Sequence, residues 1–194
     1  EDFTTVVSDV QGSGRGRGVS VWQDEPGKCA LMSIYVKWDR PVVQSFDVNR
    51  WVCHCLGAIL PFRVQFKWPN DLMVGDKKLG GLLIENHWGS DGIRTSTIGL
   101  GMNVKALENG PVRAISLEEI GMDITPSEVV DEVVQSLRSQ KMAIANRALL
   151  ERRYTQLLWG KLEARIYTSD LGEEFEGRVV GVNDRGQLLL ELAT

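Results

Sequence analysis

The chain has 194 residues, 43% of them hydrophobic and 25% charged, with a net charge of -4. That length buries roughly 70% of the unfolded surface, so one domain and a small appendage can fold without disulfide or metal staples. The negative balance works against general binding to a polyanion and leaves any phosphate site to be local.

In chain order, Phe3 to Val10 is rich in Thr and Val and reads as a strand. It starts close behind Glu1 with no initiator methionine, and residues are expected to precede it. Gln11 to Gly18 then carries four glycines and two arginines, a mobile basic loop fed by that strand. Cys29 to Trp38 reads as a second strand. After Pro41, the apolar positions Val48, Trp51, Val52, Cys55 and Ile59 fall at helical spacing, and Pro61 ends that helix. Three strands are predicted next, Arg63 to Trp68, Lys77 to Asn86 and Arg94 to Val104, the last two joined by the turn Gly89-Ser90-Asp91-Gly92. Ser116 with Glu119, and Thr125-Pro126-Ser127-Glu128, are capping-box starts. The second opens a helical pattern through Val129, Val130, Val133, Val134 and Leu137 that continues toward Leu158. From Gly160 the pattern shortens into Leu162 to Tyr167, Glu174 to Val182 and Gln187 to Leu192, a small barrel-like unit with a tight turn at Asn183-Asp184-Arg185-Gly186.

No apolar run approaches the ~20 residues of a membrane span and no charged-then-apolar leader opens the chain, so a cytoplasmic protein is expected. Cys29, Cys53 and Cys55 have no paired zinc spacing, and His54 between the last two points elsewhere on a helix. They read as core thiols in a reducing compartment.

Three clusters carry chemistry. In Gly12-Ser13-Gly14-Arg15-Gly16-Arg17-Gly18, glycines let backbone amides turn around an anion and the arginines add bidentate donors. No Gly-Lys-Ser/Thr follows, as in a Walker loop, and no helix follows, as in a dinucleotide fingerprint; a solvated hairpin loop or a short RNA contact through Arg15 and Arg17 are the alternatives. The lack of a broad basic face argues against nucleic acid.

In Lys67-Trp68-Pro69-Asn70-Asp71, the proline forces an extended or turning backbone after a strand, presenting Asn70 and Asp71 as oxygen ligands for Mg²⁺ or a ribose, or as a plain Asx turn. On the following strand, period two puts Lys78, Gly80, Leu82 and Ile84 on one face. The lysine is then either a solvated edge charge or a catalytic cation. In Gly99-Leu100-Gly101-Met102-Asn103-Val104, Gly99, Gly101 and Asn103 share a face, a strip without side chains that ends in an amide. It suits either a flat polar ring or close packing of a helix.

Together and in this order, the clusters resemble biotin protein ligases, the family that includes holocarboxylase synthetases and the bifunctional biotin repressors. The resemblance runs from Val7 to about Leu192. Lys67 to Asp71 matches the family's KWPND signature at every position, Lys78 to Glu85 its following strand, and Gly99 to Asn103 its glycine-asparagine strand. Lipoate ligases and octanoyl transferases share the fold but are not expected to carry the Lys-Trp-Pro-Asn-Asp run.

The resemblance implies an α+β fold of class II synthetase-like type: a mixed or antiparallel sheet covered by helices over residues 1–159, then a small SH3-like β barrel over 160–194. It implies that biotin and ATP form biotinyl-5'-adenylate with Mg²⁺, and that biotin then passes to a lysine of a biotin carboxyl carrier protein. Lys78 and Arg17 are the implied catalytic residues. Biotin contacts fall on Gln11, Gly14, Arg17, Lys78, Gly81, Gly99 and Gly101, and ATP contacts on Arg15, Trp22, Asn70, Asp71 and Asn103, with Asn70 and Asp71 also facing Mg²⁺. A catalytically weakened homologue that acts as a sensor is the alternative from a different class, and a homodimer through an edge strand is compatible with either.

Physics supports the allocation. When the biotin carboxylate attacks the α-phosphorus, each cation at about 4 Å contributes on the order of 4 kcal/mol at an effective dielectric near 20. No covalent enzyme intermediate is needed, in keeping with the lack of a nucleophile-base pair among Ser, Cys and His. The chain departs from the family at Gly18 and Val19, where another arginine and a glycine are usual, and the family's Ser/Thr-Asn segment for the biotin ureido ring is expected ahead of Glu1. The DNA-binding domain of the repressors also lies N-terminal to the matching part.

Overall fold

A computed structural model describes residues 1–16, 18, 21–61, 63–161, 163–169 and 171–192. Arg17, Val19 and Leu162, singled out above, lie outside the described residues.

The first strand, β1 (Thr5–Ser8), pairs antiparallel with β4 (Cys29–Val42). Between them a small hairpin of β2 (Gly14–Arg15) and β3 (Val21–Trp22) carries the glycine-arginine loop. Helix α1 (Ser45–Ile59) buries Val48, Trp51, Val52 and Cys55 on the face that their spacing selects. It stops where Pro61 drives Leu60 into the extended region, at ψ 154°. Then β5 (Val64–Lys67), β6 (Asp71–Val74), β7 (Lys77–Gly89) and β8 (Gly92–Asn103) follow as successive hairpins. The resulting sheet runs β1-β4-β8-β7-β6-β5, with every neighbouring pair antiparallel.

Strand β6 was not foreseen. It is only four residues long and follows a proline turn, so it has no alternating run to announce it. Lys67 pairs with Asp71 across the mouth of the β5-β6 hairpin, and Trp68-Pro69-Asn70 form its tip.

Helix α2 (Pro126–Ser139) packs on α1 and β4 and opens with both halves of the expected capping box. It does not continue toward Leu158. The Gln140 carbonyl accepts from the Trp51 indole N–H at 2.8 Å instead of extending the helical ladder, and a 3-10 turn (Lys141–Ala145) follows. Asn146 then caps a separate helix, α3 (Arg147–Gln156), by accepting from the Leu149 amide. The first capping box, Ser116 with Glu119, starts only the short 3-10 turn Glu118–Ile120.

The core lies between the helices and one sheet face, where Ile34, Val36, Leu72, Leu79, Ile98 and Met102 are buried. Cys29, Cys53 and Cys55 are buried and unpaired, and burial pushes the Cys55 thiol up to about 12. Among the described residues no helix is long and apolar enough to cross a membrane.

The C-terminal strands are β9 (Ala164–Thr168), β10 (Glu174–Val182) and β11 (Leu188–Leu192). They form an antiparallel sheet in the order β11-β10-β9, which among the described residues is open and not closed into a barrel. Among the described residues the architecture is thus α+β, with one large antiparallel sheet covered by three α-helices, the small C-terminal sheet and the β2-β3 hairpin.

Candidate active site

The sheet face opposite the helices carries a cavity of about 290 Å³ between the β2-β3 hairpin and the middle of β7 and β8. Its floor is the glycine strip. Gly99 sits between Ser33 of β4 and Leu83 of β7, and Gly101 between Leu31 and Gly81. A Cβ on Gly101 would stand 2.8–3.1 Å from atoms of the Trp22 ring, so only glycine lets the indole lie on the strand. Buried Ile98, Leu100 and Met102 alternate onto the core side, as expected.

Lys78 reaches this cavity by a route that simple alternation misses. Counting by two from Gly80 would turn it toward the core with Leu82, but Leu72 pairs with Gly80 and the next partner, Met73, pairs with Lys78. Leu79 is therefore an extra residue, fully buried, and the bulge re-aims the preceding side chain. Lys78 consequently shares a face with Gly81 and Leu83, and a Cβ on Gly81 would sit 3.5 Å from Lys78 Cε. The expected grouping of Lys78 with Gly80, Leu82 and Ile84 is corrected accordingly.

Around the ammonium group the contacts are specific. Asp71 Oδ1 lies 2.7 Å from Lys78 Nζ, which stands 5.8 Å from the Trp22 ring centroid. The neighbouring Asn70 is held from both sides, its amide donating to the Leu82 carbonyl at 3.0 Å while its own carbonyl accepts from Leu82 N–H at 2.8 Å. The KWPND tip is thereby fastened to β7, with Asp71 against the lysine. Gln11 and Arg15 close the cavity from the hairpin side. Gly14 does not line it; it lines a groove beneath the loop with Leu83 and Glu85. A Cβ there would come within 2.6 Å of the Trp22 carbonyl oxygen and 2.8 Å of Gln11 Oε1, so Gly14 sets the closeness of the hairpin.

Asn103 lines a second cavity of about 200 Å³, whose wall at Val21, Trp22 and Lys78 is common to the first. Its amide donates to the Ile115 carbonyl at 3.1 Å, and its oxygen accepts from the Cys29 thiol at 3.7 Å. The Trp22 indole nitrogen at the junction is buried without a hydrogen-bond partner among the described residues. Of the residues singled out from sequence, Gln11, Arg15, Trp22, Asn70, Asp71, Lys78, Gly81, Gly99 and Gly101 meet at the first cavity, and Asn103 at the second.

Sequence reasoning missed Ser33, which lines the first cavity beside Gly99, and Leu107, Pro111 and Arg113, which line the second. For Ser33 a signal exists, a small polar residue interrupting an apolar strand. Arg113 follows a loop with no periodicity, and only the fold brings it in.

A model of the Biotin/lipoate A/B protein ligase family matches residues 1–103. The chain is 29% identical over 204 aligned residues to the bifunctional ligase/repressor BirA of Bacillus spizizenii, covering 97% of this chain and 61% of that protein. It thus spans about three-fifths of the length of the curated relatives it first matches. Among solved structures, the biotin protein ligase of Aquifex aeolicus in complex with biotin and ATP superposes with a TM-score of 0.73 at 23% identity, covering 98% of this chain and 82% of that one. That of Leishmania major with biotinyl-5-AMP gives 0.64 at 21% identity, covering 99% and 85%. At these identities the likeness establishes the fold. The family match spans more than half of the chain, including the glycine-arginine loop, Lys67 to Asp71, Lys78 and the strand ending at Asn103, and the chain belongs to the biotin/lipoate A/B protein ligase family.

Proposed function

We propose that the chain is the ligase portion of a biotin protein ligase, which joins biotin to ATP as biotinyl-5'-adenylate and passes the biotin to a lysine of a biotin carboxyl carrier protein. One observation carries the reading. Two cavities adjoin, and Lys78 stands in the wall they share, paired with Asp71 from the KWPND tip. Adjoining spaces with a cation at their junction suit two substrates that react where they meet. The Aquifex aeolicus relative holds biotin and ATP, and the Leishmania major relative holds biotinyl-5-AMP, in line with this reading.

In this reading biotin lies on the glycine strip, and the nucleotide reaches past Trp22 toward Asn103. The biotin carboxylate attacks the α-phosphorus; the new C–O–P linkage forms as the bond to pyrophosphate breaks. Negative charge gathers on the phosphoryl oxygens, and the Lys78 ammonium and the Arg15 guanidinium meet it, with Arg17 assigned the same role by family likeness. A carrier lysine then attacks the mixed anhydride and AMP leaves.

Asp71 and the side-chain oxygen of Asn70 would hold Mg²⁺. Among the described residues no group of three or more His, Cys, Asp or Glu forms a cage. Two oxygen donors fit an ion that arrives on nucleotide phosphates, where it supplies charge neutralisation. The reading also takes residues 1–159 as the catalytic domain, 160–194 as an SH3-like domain to which the small sheet contributes, and the cytoplasm as its compartment. A homodimer through an edge strand belongs to it too; β1, with Val6 and Val7 exposed, is such an edge.

Lys78→Ala is the test. Pyrophosphate release from biotin and ATP is expected to fall at least about 100-fold while the circular dichroism spectrum is unchanged, because the side chain is part-exposed and not in the core. Release at the parent rate removes Lys78 from the chemistry. Mass spectrometry of a purified acetyl-CoA carboxylase biotin domain after incubation with the parent protein, biotin and MgATP checks the second step; an unmodified carrier lysine leaves the ligase reading without support.

A further inference from the structure

The segment 105–113 arches over the second cavity, where Leu107, Pro111 and Arg113 form one wall. Its two ends are held by backbone. The Val104 and Lys105 amides both donate to the Lys28 carbonyl at 2.9 Å, and the Arg113 carbonyl accepts from Lys78 N–H at 2.6 Å. Next to its first end Glu118 Oε2 accepts from the Ala106 amide at 3.0 Å, and the backbone of its middle is held by Glu25. Glu25 Oε1 accepts from the Asn109 amide at 2.6 Å, and Oε2 accepts from the Glu108 amide at 3.1 Å. Lys28 Nζ completes the knot, 2.9 Å from Glu25 Oε2 and 2.9 Å from Glu108 Oε1. Lys28 and then the two amides hold the Glu25 carboxyl down at about 2, so it is ionised at neutral pH and its hydrogen bonds are charge-assisted.

We propose that Glu25 is a positioning residue for the nucleotide half of the site: by capturing the Glu108 and Asn109 amides it holds Leu107 and Pro111 against the space beside Asn103 and Trp22. The inference rests on the reading of that space as the nucleotide's. A loop tied only at its ends must be ordered when the ligand binds, and that ordering subtracts from affinity. A carboxylate that orders the loop beforehand removes the cost, so its loss appears in ATP binding and not in the chemical step. Glu25 lies outside every cluster that the sequence made conspicuous, and its partners are more than eighty residues away along the chain.

The experiment compares the parent protein, Glu25→Ala and Lys28→Met by pyrophosphate release at varied ATP and varied biotin, together with amide hydrogen exchange over 106–110. For Glu25→Ala the ATP KM is expected to rise about five- to tenfold, with kcat and the biotin KM within about twofold and the protection of the Glu108 and Asn109 amides lost. Lys28→Met keeps both amide bonds and is expected to shift the ATP KM less than about twofold. An unchanged ATP KM in Glu25→Ala overturns the assignment, and so does an equal rise in both KM values, which marks general loosening. An effect of Lys28→Met as large as that of Glu25→Ala overturns it as well, since the ion pair would then carry the effect. A parent protein that releases no pyrophosphate sinks the functional reading itself; exchange then judges the clasp separately, and protection that survives Glu25→Ala refutes it.

Discussion

The Trp22 ring and the strip beneath it are matched to within a methyl group. Gly101→Ala puts a carbon 2.8–3.1 Å from three ring atoms, and because the neighbour is a rigid indole, the ring must move off the strand. Under the proposed function, biotin affinity is expected to fall by about tenfold, read by titration calorimetry, with the fold retained; parent-like binding would show that the ring's seat on Gly101 is irrelevant to the ligand. The identities of Asp71, Lys78 and Gly101 were legible in the sequence because each belongs to a short motif of unusual composition, whereas Trp22 was named only through the family resemblance. The direction in which Lys78 points was not, since alternation groups it with Gly80, Leu82 and Ile84, and a bulge at Leu79, invisible in residue types, turns it to the face of Gly81 and Leu83.

Local signals decide the ends of elements better than their extents. Thr125 accepts from the Glu128 amide at 3.3 Å, and the Glu128 carboxylate accepts from the Thr125 amide at 2.8 Å, so α2 begins where the capping box predicts. The Glu128 carboxyl is held below its ordinary value, first by the Thr125 hydroxyl and then by the Thr125 amide. A lowered carboxyl stabilises above its unfolded value of 4.5, and that contribution fades as pH falls through the lower folded value. Thr125→Ala is therefore expected to cost about 1 kcal/mol near neutral pH, with the gap to the parent narrowing on acidification. Thermal melts at about pH 7 and pH 3 check this, and a gap that holds or widens in acid contradicts it. The end of the same helix escaped sequence reading, because its carbonyl at Gln140 is taken by Trp51, a partner 89 residues away.

At the scale of the whole molecule, the C-terminal sheet is joined to helix α1 beside the large sheet by a buried cation. Arg50, almost wholly inaccessible, donates to Asp47 at 2.8 Å and to the Val182 and Asn183 carbonyls at 2.9 and 3.3 Å. One turn further, the Gly186 carbonyl accepts from the Trp68 indole N–H at 2.8 Å, which ties the same β10-β11 turn to the KWPND tip. Replacing Arg50 by Met leaves the buried Asp47 carboxylate with only Arg147, at 3.6 Å, among the described residues and removes the donor of two carbonyls, at a cost of about 3–5 kcal/mol. The expected result is a lower Tm together with faster proteolytic release of the segment after Gly160; unaltered cleavage kinetics would show that the two sheets hold together without this residue. Arg50 sits on a helix that the sequence reading described only through its apolar positions, so this junction passed unnoticed.

By itself the sequence determined the chemistry on offer and the family: a glycine-arginine loop, the Lys-Trp-Pro-Asn-Asp run and a side-chain-free strip are local patterns, and locality is what residue spacing reports. It also determined most strands and the starts of the helices, since period and capping act within a few residues. Only the tertiary structure decided that Lys78 faces the strip, that Asp71 pairs with it, that Glu25 clasps the loop over the second cavity, and that β9, β10 and β11 form a sheet seated on Arg50. Each of these depends on contacts between segments distant along the chain, and no spacing rule reaches that far.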